Sequence, residues 1–300
     1  MMRELIEQKI SEYFSRPYRL SSRDEQLAKT CIHQTLEILL NTAENVKSMA
    51  MAKHEFDFKF NIGTLGEPGK PATAHKNKSG YDAGIEIAFI HMMFNKVQHI
   101  TVVPERSYTS TALVVLASLT ALGHEFAHAI EGHFAQAATV IVGKVDPLEE
   151  LEADRRGGEG SLAALLNKKN RELLFEYAGV ESYRDIIEAA FVGHWLLAST
   201  LSEYDRDSLR YAPAHQRAAM FNIGLVNAAT VINAFDPLSL SEIFEESRRI
   251  ASIISSELFG SSLQEDGVQG LEDGVDAFDS DTVQKIILRS AETSAASPFK

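Results

Sequence analysis

Apolar residues along this chain recur mostly every three to four positions, with two short stretches where they recur at every second one. The helical period runs from residue 3 to about 50, through Leu36, Ile38, Leu39 and Leu40. Within it Ser22-Arg23-Asp24-Glu25 has the form of a capping box. Phe56, Phe58, Phe60 and Ile62 alternate with Asp57, Lys59 and Asn61, which predicts a half-buried strand. Ile85, Ile87 and Phe89 around Glu86 and Ala88 predict a second one. Between them Gly63–Gly80, with Pro68, Pro71, Gly66, Gly69 and three lysines, reads as a mobile surface loop joining a short antiparallel pair. The edge of such a sheet can hold an extended peptide, or the pair can be a plain structural hairpin.

Ser110–Ile130 is apolar around most of a helical circumference, through Leu113, Val114, Leu116, Leu119, Leu122, Phe126 and Ile130, as a buried helix must be. Asp146-Pro147 opens the next helix, Asp as N-cap and Pro at the first helical position. Gly157-Gly158 and Gly160 read as a bend, followed by helices over 162–177, 183–201, 218–234 and, after an Asp236 cap, 237–258. His194-Trp195 falls in one of these and reads as a core pair. Residues 260–281 turn acidic and Gly-rich without the glycine and terminal glutamate of an EF-hand, so a linker is expected there, then a short helix near 282–292. The pattern is mainly α with a small β-sheet (α+β), without internal repeats.

Chemistry enters at His124-Glu125-Phe126-Ala127-His128, an HExxH inside the apolar helix. Two histidines four apart lie one turn from each other and can grip one zinc ion, with the glutamate placed to act on its water. With 10 His in 300 residues, about 0.03 chance matches are expected by composition. A catalytic zinc needs three protein ligands and one open position. On the next helix Glu150 and Asp154 share a face, so Glu150 can complete the ligands while Asp154 holds the free ring nitrogen of a ligating histidine. Glu149 or Glu152 replaces Glu150 if the register shifts. Taken alone, the same stretch would be a solvated acidic face. The longer HExxHxxGxxH pattern fails by one position at both Gly132 and His133, so His133 reads as a capping or supporting residue. Ala117, Thr120 and Ala121 share the histidine face and are small enough to leave room for metal and substrate.

On His124-Glu125-x-x-His128, then His133, then Glu150-x-x-Ala153-Asp154-Arg155, the chain resembles the gluzincin metallopeptidases of the HtpX and CAAX-prenyl-protease kind. It also looks like the soluble Lit-type phage-exclusion peptidases. The resemblance covers roughly residues 55 to 220. It implies a gluzincin-like fold, with an active-site helix and a ligand helix beside a short antiparallel sheet. It also implies one catalytic Zn2+ on His124, His128 and Glu150, with Asp154 supporting the site. Family members often carry His-Pro and then an Arg; here Tyr211-Ala212-Pro213-Ala214-His215-Gln216-Arg217 has Ala212 in place of that His. Tyr204, Tyr211, His215 and Arg217 are therefore the candidates for stabilising the developing oxyanion.

The expected activity is zinc-dependent hydrolysis of a peptide bond in an intracellular protein, with Glu125 as general base. The competing readings are a non-catalytic scaffold that acts as a regulatory binding module, and a zinc hydrolase with a non-peptide substrate. The expected organisation is a single metallopeptidase domain over 1–259. Its helical N-terminal region covers 1–52, its catalytic core 53–220 and its C-terminal helices 221–259, with 260–300 as acidic linker and short terminal helix.

Bulk properties narrow the setting. A net charge of −13 argues against nucleic acid as the main partner. The lone cysteine, Cys31, excludes an internal disulfide framework, suits a reducing compartment and reads as a small core residue. Met1 to Gln8 is charged and lacks a signal core, and the apolar run Thr111–Gly123 is too short to span a bilayer. A cytoplasmic protein without a membrane span is expected.

Overall fold

A computed structural model describes residues 2–53, 57–64, 72–76, 80–98, 108–130, 147–204, 214–231 and 237–259. Helix α1 (Met2–Phe14) buries Ile6, Ile10, Tyr13 and Phe14, one stripe at helical spacing. Helix α2 (Glu25–Lys53) follows after a break at 15–24, where Pro17 has no N–H to continue a helix and the Arg19 side chain caps the Phe14 carbonyl at 2.8 Å. The helical period across 3–50 is therefore two helices. The N-cap of α2 is Asp24, whose Oδ1 accepts from the Leu27 N–H at 3.0 Å. Ser22, expected as the cap, instead lies 2.7 Å from His91 Nε2 and donates to Asn95 Oδ1.

The sheet corrects the expected antiparallel pair. Among the described residues it has three strands, β1 (Asp57–Gly63), β2 (Ala72–Lys76) and β3 (Gly80–Glu86), in the order β1-β3-β2. β1 and β3 run parallel, Asp57 opposite Gly80, while β2 runs antiparallel to β3, Ala72 opposite Ile85. The segment read as a loop thus supplies β2, and the chain then returns between β1 and β2, which forces the parallel pairing. The second strand stops at Glu86, and Ile87–Val97 is helix α3. Ile87 and Phe89 fit a strand alternation, but Ala88, Ile90 and Met92 are buried as well, and a segment buried on every side satisfies its backbone as a helix.

Helix α4 (Ser110–Ile130) keeps its predicted bounds and packs on most of the other elements. It is long and apolar enough to cross a membrane by length and composition over Ser110–Ala129, a longer stretch than the expected run ending at Gly123. Of its most apolar window, 83% is buried inside the protein. The Phe58 and Phe126 rings meet edge to face at 5.1 Å and seat the sheet on α4.

Helix α5 (Pro147–Leu166) runs straight through Gly157, Gly158 and Gly160, where a bend was expected. These glycines face neighbouring helices. A methyl at Gly157 would sit 2.9 Å from the Thr120 carbonyl oxygen, and one at Gly158 would overlap the carbonyl of Phe221. Glycine costs a helix roughly 1 kcal/mol against alanine, and here it allows backbones to touch. Ala117 and Thr120, read as leaving room for metal and substrate, are buried against Gly193 and Gly157 for the same reason.

The expected helix 162–177 is divided at Asn167, whose side chain accepts from the Lys169 and Asn170 N–H groups. Asn167 thereby caps α6 (Lys168–Ala178), which ends on Gly179 at φ 65°. Then come α7 (Tyr183–Tyr204), α8 (Ala214–Val231) and α9 (Pro237–Phe259). α8 begins four residues before its predicted start and so includes Arg217. Cys31 is buried, as expected. The expected linker and last helix in 260–300 lie outside the described residues.

Candidate metal centre

The site forms where α4 crosses α5. The i, i+4 spacing stacks the His124 and His128 rings on one face of α4, edge to face with centroids 4.7 Å apart. α5 is held against that face by the glycine contacts, which brings Glu150 over both rings. His124 Nε2 lies 3.1 Å from His128 Nε2 and 3.3 Å from Glu150 Oε2, and His128 Nε2 lies 3.5 Å from Glu150 Oε1. Bonds of about 2.0–2.1 Å to zinc place ligand atoms about 3.3–3.4 Å apart, and these separations, two of them to different oxygens of Glu150, lie close to that spacing. One ligand atom from each of the three residues lies within 4.8 Å of the others, so the group is able to hold a metal ion.

The register of α5 decides between the three glutamates. Glu150 is 6% exposed and faces the histidines. Glu152 faces away and binds Arg155 at 2.6 and 2.9 Å, with Arg156 at 3.3 Å. Glu149 is half-buried and outside the cluster.

Asp154 stands one turn beyond Glu150. Its Oδ1 lies 2.8 Å from His124 Nδ1, while Nε2, the other ring nitrogen, lies on the side of Glu150 and His128. Arg217 of α8 donates to both oxygens of the same carboxylate, Nε to Oδ2 at 2.8 Å and Nη2 to Oδ1 at 2.7 Å. Asp154 is fully buried and Arg217 is 6% exposed.

Burial raises the Asp154 carboxyl, but Arg217 and His124 together outweigh it and hold the group below its ordinary range. Burial likewise raises Glu150, and the two histidines bring it down. Burial disfavours charge on His124, yet Asp154 and Glu150 overcome that and lift it to about 10. The field at this point favours positive charge, whether a proton or a metal cation brings it.

Glu125, beside His124, has its carboxyl pushed up to about 7 by burial. The charges of His124 and Arg217 and a hydrogen bond from the Ala74 backbone oppose the rise. Ala74 belongs to β2, which among the described residues is an outer strand in the order β1-β3-β2, so the base and this strand adjoin.

Of the other sequence candidates, Arg217 joins the site through Asp154. Tyr211, His133 and the side chains of Tyr204 and His215 lie outside the described residues. His194 is a satisfied core residue: its Nδ1 is 3.0 Å from Asn222 Oδ1, and burial lowers it to about 4. Two relationships were missed from the sequence, Arg217 with Asp154 and Ala74 with Glu125. The first had a signal, an arginine heading a helix whose next residues are apolar. The second had none. No protein-family model matches this chain, and no curated protein or solved structure does either.

Proposed function

We propose that this chain is a zinc-dependent endopeptidase of gluzincin type that hydrolyses a peptide bond of a protein substrate. The observation that carries the reading is the convergence of His124, His128 and Glu150, with Glu125 beside it. Two imidazoles and one carboxylate leave a coordination position open, as zinc hydrolases do and structural zinc sites do not. A bound zinc ion would supply an acidified water and polarise the scissile carbonyl.

The chain's own residues do the rest. Asp154 keeps the proton of His124 on Nδ1, so that Nε2 remains a ligand. Glu125, next to His124 in the chain, takes the proton of the attacking water and passes it to the departing amine. β2 offers the edge of a sheet to an extended peptide, next to the base.

The test compares cells that express the native chain with cells that express Glu125→Gln. New protein N-termini should arise only with the native chain, while both proteins carry stoichiometric metal. Equal N-termini from both would overturn the reading, and so would full metal occupancy without any cleavage.

A further inference from the structure

We propose that Arg217 is a positioning residue for the metal centre, acting through Asp154 on the His124 ring, and that it does not touch the substrate. The inference rests on the metal-binding half of the proposed function and is independent of peptide hydrolysis.

Three nitrogens, two donors of Arg217 and one ring nitrogen of His124, converge on one buried carboxylate. Oδ1 of Asp154 serves both Arg217 Nη2 at 2.7 Å and His124 Nδ1 at 2.8 Å, and Oδ2 serves Arg217 Nε at 2.8 Å. A lone hydrogen bond to an imidazole leaves a carboxylate free to turn about its own axis. A planar guanidinium bound to both oxygens fixes that plane, and with it the direction from which Oδ1 meets the ring. The ring of His124 is thereby set in tautomer and in tilt, which aims Nε2 at the point it shares with His128 and Glu150.

The guanidinium is itself held. Its carbon lies 5.8 Å from the centre of the Phe221 ring one turn later on α8, and the Phe221 carbonyl rests on Gly158 of α5. Arg217 therefore keeps its place relative to Asp154 through backbone contact between the two helices that carry them. Charge points the same way, because a fully buried Asp154 without the guanidinium would keep only the His124 ring as its counter-charge. Lysine would keep the charge but lose the fork.

The experiment measures zinc affinity of the full chain by competition with a chromophoric chelator, and the visible spectrum of the cobalt(II) form. It covers the native protein, Arg217→Met, Arg217→Gln, Arg217→Lys, Asp154→Asn and the Arg217→Met/Asp154→Asn double variant, each checked by circular dichroism.

Loss of this outer support typically weakens metal binding by about 10- to 100-fold. Arg217→Met and Arg217→Gln should fall in that range with an altered cobalt spectrum, and Arg217→Lys should lie between them and the native protein. The double variant should lose no more than the worse single one, since both act through the same carboxylate. If Arg217→Met does not fold, Gln and Lys decide. Native affinity and spectrum in the folded variants would overturn the proposal, even where turnover is lost, since that pattern marks a group that meets the substrate. Losses that multiply in the double variant would overturn it too. A native chain that binds no zinc would remove the proposed function along with this inference.

Discussion

Gly224 of α8 lies so close to the backbone carbonyl of Arg155 in α5 that a methyl group at position 224 would overlap that oxygen. The obstacle is backbone, which cannot swing aside as a long side chain can. Gly224→Ala therefore sets a helix-propensity gain of about 1 kcal/mol against an overpacking cost of about 1–3 kcal/mol, and the cost prevails. Gly160 gives the opposite result, because a methyl there meets nothing nearer than the Gly123 Cα at 3.6 Å. Urea titration should show Gly224→Ala less stable than the native chain and Gly160→Ala as stable or up to about 1 kcal/mol more so. Equal shifts in both would mean that the contact between α5 and α8 is not as close as described.

The third ligand is tested by a pair of neighbours on one helix. Glu150→Gln removes the carboxylate that lies 3.3 and 3.5 Å from the two imidazoles. Zinc affinity should fall by at least about 10-fold, with the fold retained. Glu152→Gln weakens the part-buried ion pairs with Arg155 and Arg156 instead. It should leave zinc affinity near native and cost about 1 kcal/mol of stability. Swapped outcomes in metal titration and chemical denaturation would show that α5 presents the other glutamate.

His194 ties stability to pH at a point away from the metal ligands. Burial lowers it to about 4 from an ordinary value of 6.5, with Asn222 opposing. Between those values the unfolded chain binds a proton that the native chain does not. The stability it contributes is present above about 6.5 and is lost as pH falls toward 4. By linkage this histidine accounts for about 2 kcal/mol between pH 7 and pH 5. The drop in urea midpoint over that interval should be smaller in His194→Gln than in the native protein. An equal drop in both would mean that the ring is already charged in the folded state.

What was legible in the sequence was local. The spacing of His124 and His128 follows from 3.6 residues per turn, and one helix suffices to bring the two rings together. The bounds of α4 and the start of α5 were readable because apolar periodicity and the Asp-Pro entry are properties of a few consecutive residues. The mainly helical α+β class followed from the same patterns.

Partner and direction had to come from tertiary structure. Alternation tells which side chains share a face of a strand and carries no information about its neighbour, so β2 went unseen and the parallel pairing of β1 with β3 was missed. A glycine triplet fits both a bend and a helix pressed against another, and only the packed neighbours of Gly157 and Gly158 settle which. The choice of Glu150 over Glu149 and Glu152 depends on how α5 is rotated against α4. Arg217 meets Asp154 across 63 residues of chain because two helices come into backbone contact there, and no local pattern encodes a contact of that range.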